Sequence, residues 1–140
     1  MWMMTTRGFF SAVEDRNDRD LIIVRARVRD DLVQLRKILD MHSRRKPNIL
    51  ETPDADYPFR MVLARGVWAS ALSKMALGID YDNFKDAVKA KDPKRADVYL
   101  TVWSNLRARL GHGVCGVGDE FDDYYVTTNR SKPSWWNRHG

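Results

Sequence analysis

The sequence predicts an α+β fold: a small antiparallel sheet of about three to four strands, covered on one face by helices, with a helical C-terminal half. Three observations predict it. Residues 21–29 (LIIVRARVR) open on a β-branched apolar run and end in strict alternation, the pattern of a strand. Apolar residues at helical spacing recur after residues 31, 67 and 98. The strands come first and the helices last, and elements segregated in this way pack as a sheet with helices on one side. A β-hairpin followed by β–α units also fits a variant of the ferredoxin-like sandwich.

In chain order, residues 2–6 form an extended piece broken at Gly8, and residues 9–15 (FFSAVED) form a strand. Residues 16–20 (RNDRD) are a polar loop rich in turn formers, and the strand at 21–29 follows. Asp30 or Asp31 then suits an N-cap, where an acid meets the positive end of the helix dipole. Leu32, Leu35, Ile38 and Leu39 give that helix one apolar face, and a basic loop, Ser43 to Pro47, closes it. Residues 48–56 show no periodicity. Residues 57–65 (YPFRMVLAR) form another strand, with Pro58 at an entry or edge position.

Beyond residue 65 the chain turns helical. Trp68, Ala71, Leu72, Met75 and Ala76 make an apolar stripe that Gly78 ends. Tyr81, Phe84 and Val88 suit a short helix capped by Asp80 or Asp82. Asp92-Pro93 places an N-cap residue before an N1 proline, a strong start signal. Tyr99, Val102, Trp103, Leu106 and Leu110 form the next stripe, and Gly111 sits where a C-terminal cap belongs. The expected organisation is a single core domain over residues 1–110, then a Gly-rich linker and an acidic, aromatic tail over 111–140.

With 140 residues and ordinary apolar and charged content, the chain can bury one core. Its apolar runs fall far short of the ~20 residues that span a bilayer, and residues 1–4 (MWMM) lack the basic flank of a signal peptide. A lone cysteine makes no internal disulfide, so a cytoplasmic location and no membrane partner are expected. The net charge of +5 raises the prospect of a polyanionic partner, and the charge is uneven. Residues 16–46 carry ten basic against five acidic side chains, whereas residues 119–123 are acidic.

The strand at 21–29 is the most informative stretch. Alternation sends Ile22, Val24, Ala26 and Val28 to the core, and Arg25, Arg27 and Arg29 to the other face. Such a row admits three roles: solvated or paired structural charges, a site for nucleic acid or another polyanion, and a protein or homodimer interface. Arg44, Arg45 and Lys46 would add phosphate contacts. Trp135 and Trp136, adjacent in a polar tail, need a partner surface, an intramolecular groove or a membrane interface.

Nothing points to catalysis. Asp80, Asp82 and Asp86 are the densest carboxylate cluster and could hold Mg²⁺, but an EF-hand Gly and Glu are not in place and capping explains the acids. His42, His112 and His139 form no zinc motif, and no serine sits in a nucleophile elbow. Residues 111–118 (GHGVCGVG) spell G-x-G-x-x-G, but a helix precedes them and acids follow, the reverse of a dinucleotide site. His112 and Cys115 lack a third group. No catalytic residue, metal or cofactor is expected.

Several blocks, TTRGFF at residues 5–10, LIIVRARVRDDL at 21–32, TPDADY at 52–57 and IDYDNFK at 79–85, resemble a family of small uncharacterised proteins from actinobacteria and their phages. The resemblance spans residue 5 to about residue 106. It carries no activity or cofactor. It implies a stand-alone cytoplasmic protein, a small regulator or adaptor, or a phage factor acting on a host protein. The functional expectations are a non-enzymatic module that binds another protein, then a nucleic-acid binder, then a metal-dependent enzyme of unrecognised type.

Overall fold

A computed structural model describes residues 1–39 and 46–110. The fold is α+β. Five strands, β1 (Trp2–Thr5), β2 (Gly8–Glu14), β3 (Leu21–Ala26), β4 (Leu50–Glu51) and β5 (Phe59–Ala64), form one sheet in the order β1-β2-β3-β5-β4. Every pairing is antiparallel. Helix α1 (Arg29–Ile38) interrupts the strands, and α2 (Arg65–Leu77), α3 (Phe84–Lys91) and α4 (Pro93–Leu110) follow them. This order differs from the β-α-β-β-α-β of a ferredoxin-like sandwich. Residues Met1–Leu100 make one compact unit, and the described part of a second unit is the C-terminal end of α4.

Alternation along each strand builds the core. Phe10, Ala12, Ile22, Val24, Ala26, Met61 and Leu63 turn to one face, where Leu32, Leu35 and Leu39 from α1 and Trp68 and Ala71 from α2 cover them. Leu32, Leu35, Val24 and Ala71 are wholly buried, so both helices owe their place to apolar burial and not to capping. Indeed neither has a side-chain cap: the N-cap positions are Val28 and Ala64.

Two expected boundaries move. Strand β3 stops at Ala26, not at residue 29. Its register with β5 pairs Ala26 with Phe59, so Arg27 would face Pro58, which has no N–H to give the ladder. The chain bends there, Val28 is half exposed instead of core, and Arg29 begins α1. Asp30 and Asp31 lie inside the first turn of that helix and cap nothing. In α3 the cap is Asn83, one residue past Asp82. Its side-chain oxygen accepts from the N–H groups of Lys85 and Asp86.

Other expectations meet the structure directly. Gly78 ends α2, its N–H donating to Lys74 O. Asp92 Oδ1 accepts from Arg95 N at 3.0 Å ahead of Pro93, and that bond holds the Asp92 carboxyl below its ordinary value. Strand β4, in a stretch without periodicity, is new. Of the α4 stripe only Tyr99 is buried, while Val102, Trp103, Leu106 and Leu110 are exposed. Among the described residues no helix is long and apolar enough to cross a membrane.

Candidate functional site

The same alternation that fills the core leaves the second face of the sheet without a helix from α1 or α2. Strand register arranges its side chains in rows. One row runs Trp2, Ser11, Arg25, Arg60, Leu50 across all five strands, because each residue is the partner of the next. The adjacent row is Val13, Ile23, Val62. Val13 and Val62 are each 36% exposed, and Ile23 between them is half-buried.

Arg25 and Arg60 are directly opposite on β3 and β5, a like-charge pair that antiparallel sheets ordinarily avoid. Arg25 Nη2 donates to the buried Ser11 Oγ at 2.8 Å, and its guanidinium lies 4.9 Å from the centre of the Tyr57 ring. Arg60 has no hydrogen-bond or ion-pair partner among the described residues. The Nε atoms of both arginines are buried and have no hydrogen-bond partner among the described residues. Their stems lie along apolar surface while the pair lines a concavity of about 450 Å³ with Val13, Ile23 and residues 14–17.

Of the expected arginine row, then, only Arg25 is on the strand face proper. Arg27, just past the strand, is committed: it pairs with Asp56 at 2.8 Å, and its guanidinium lies 4.9 Å from the centre of the Tyr57 ring. Arg29 has left the row for α1. Lys46 is exposed in the loop before β4. Arg44, Arg45, Trp135, Trp136, His112 and Cys115 lie outside the described residues. Sequence reasoning missed Arg60, although the alternation of FRMVLA at residues 59–64 sends Arg60 and Val62 to one face. Asp80, Asp82 and Asp86 do not converge; among the described residues no three potential metal ligands do.

A second polar centre is structural. Asp31, nearly fully buried, receives both ends of the Arg95 guanidinium, at 2.6 Å on Oδ1 and 3.1 Å on Oδ2. Its Oδ2 also accepts from Phe9 N at 3.0 Å. The clamp thereby joins the first turn of α1, the start of β2 and the first turn of α4. Beside it Tyr99 donates to Thr5 O at 3.4 Å and stacks on Phe84 at 5.9 Å between ring centres. Burial disfavours the Arg95 charge, but the hydrogen bonds to Asp31 and Tyr99 outweigh it and hold its pKa above the ordinary value.

Burial pushes the Tyr99 hydroxyl above its ordinary value of 10.0; Arg95 opposes the shift and the Asp31 carboxylate adds to it. The folded chain thus keeps a proton that the unfolded chain releases. The stability this supplies is complete below pH about 10 and is lost as pH rises through the folded value. Urea unfolding of the wild type should accordingly weaken more steeply above pH about 10 than that of Tyr99→Phe. Parallel curves for the two would show that Tyr99 ionises as freely folded as unfolded.

Compared with family models, curated proteins and solved structures, the chain matches none of them.

Proposed function

We propose that this chain is a small, non-enzymatic interaction protein that binds another protein through the sheet face that α1 and α2 leave uncovered. The setting that the sequence blocks imply is the cytoplasm of an actinobacterial cell or of one infected by its phage. The observation that carries the reading is the Val13–Ile23–Val62 row beside Arg25 and Arg60. A solvated antiparallel face is ordinarily polar. Three β-branched side chains abreast on three strands instead offer a contiguous apolar strip, rigid at χ1 and cheap to order on binding. Arginine beside such a strip is the residue type enriched at protein interfaces.

The nucleic-acid alternative has less support. It needs an open row of arginines, whereas Arg27 is paired and Arg29 is on α1. Base stacking works best with several free aromatic faces; Tyr57 is buried beneath two guanidiniums, and Trp2, exposed on the edge strand β1, packs edge-to-face with Phe9 at 5.8 Å.

Selection of a displayed random-peptide library on the immobilised full chain tests the reading. Enriched peptides should bind the wild type and lose at least about tenfold in affinity on a folded Val13→Lys/Val62→Lys variant. Peptides indifferent to that variant, or no enrichment at all, would place the function elsewhere.

A further inference from the structure

We infer that Arg25 and Arg60 together form a carboxylate subsite, which takes an acidic side chain of an extended peptide segment in the partner protein. The inference rests on the reading of this face as a protein-binding surface and names the chemistry it recognises.

Three features of the pair point to an anion. Two guanidiniums directly across β3 and β5 repel each other and gain from a negative charge shared between them. Both Nε–H groups are buried without an acceptor among the described residues, a state that costs free energy and that a charge-compensating anion at the guanidiniums would offset. The paired N–H donors of a guanidinium match the two oxygens of a carboxylate. Of the acids around this face, Glu14 pairs with Arg65 at 2.8 Å, Asp56 pairs with Arg27 at 2.8 Å, and Asp15 accepts from Asn17 N. None of these three described acids gives the pair its counter-charge, the role assigned here to a partner's carboxylate.

The surroundings decide which anion. The concavity at the pair is walled by Val13 and Ile23, so the ligand places aliphatic groups beside its charge. Glu14, Asp15, Arg16 and Asn17 form its other wall, where the two acids weigh more heavily against a polyphosphate than against a single carboxylate. A nucleic acid fits this arrangement poorly. So does a second copy of the chain, since a two-fold axis through the face would bring four guanidiniums together. A peptide with alternating aliphatic and acidic residues satisfies both rows at once, because its own side chains alternate with the same period.

The test uses a peptide from the library selection, synthesised with each acidic residue changed in turn to its amide. One Glu→Gln or Asp→Asn change should cost about tenfold in affinity for the wild type, and Arg60→Gln a similar factor. Combined, the two changes should cost little more than either alone, and Arg60→Lys, which keeps charge but loses the fork, should fall between. Arg60→Gln should keep or raise the thermal midpoint, since it relieves the like-charge pair, so lost affinity is not lost folding. Arg25→Gln repeats the binding result from the other strand. Peptides that need Val13 and Val62 but no acid would sink the carboxylate subsite and leave the binding surface standing. Full competition by single-stranded or duplex oligonucleotides at physiological salt would overturn the subsite in favour of a phosphate site.

Discussion

Asp31→Ala is expected to destabilise the chain by about 3–5 kcal/mol, the range for removing one partner of a buried ion pair. The side chain is 3% exposed and its Arg95 partner 18%, so water cannot take over the lost bonds. After substitution the Arg95 guanidinium keeps the 3.3 Å contact with Asp92 Oδ2 and its Tyr99 neighbour but no buried counter-charge, and Phe9 N–H loses its acceptor. The carboxylate also sits in the first turn of α1, where it answers the helix dipole in place of a cap that Val28 does not provide. Urea midpoints measure the effect. Arg95→Ala should be comparably damaging, as it strands a buried carboxylate, and the two changes together should cost less than their sum. Asp31→Leu/Arg95→Met, which replaces the pair by apolar side chains, should recover much of the loss. A single Asp31→Ala chain within about 1 kcal/mol of wild type would mean that the pair is as weak as a surface ion pair.

That clamp shows what the sequence could and could not disclose. Alternation in residues 21–26 and 3–4 spacing in residues 32–39 are local, and they placed the core face of β3 and of α1 correctly. Asp92-Pro93 was legible for the same reason: an N-cap and an N1 proline are recognised from adjacent residues. Asp31 beside a helix start reads locally as a cap, and only the tertiary arrival of Arg95, 64 residues along the chain, shows that its oxygens are spent elsewhere. The end of β3 is set in part by Pro58, just ahead of β5, so alternation through Arg29 overran it. The candidate site divides in the same way. Each strand tells which face Arg25 or Arg60 takes, but their opposition is a matter of register, which no single strand contains. In α4 the helical period identified the apolar side and buried Tyr99, yet periodicity carries no information on what covers the rest.

Gly8→Ala is expected to cost about 1–3 kcal/mol through overpacking alone. It should cost more if it dislodges the clamp. The hairpin turn at Gly8 is tightly specified: Thr5 Oγ1 accepts from Arg7 N and Gly8 N and donates to Gly8 O at 2.8 Å. This fixes the start of β2 against α1 so closely that a Cβ on Gly8 would meet Cβ and Cγ of Asp31 at 2.7 Å. An exposed neighbour could swing aside. Asp31 is held by Phe9 N–H and both arms of Arg95, so relief comes only by parting β2 from α1 or by breaking the ion pair. Residues 5–10 and 29–32, two blocks far apart in sequence, thus meet at one point where backbone, carboxylate and guanidinium have no slack. A double-mutant cycle isolates this contact: in an Asp31→Gly background, Gly8→Ala should be close to neutral, whereas in the wild type the urea midpoint falls with an unchanged slope. Equal costs in the two backgrounds would show that Gly8 serves the hairpin turn itself and not the seat of Asp31.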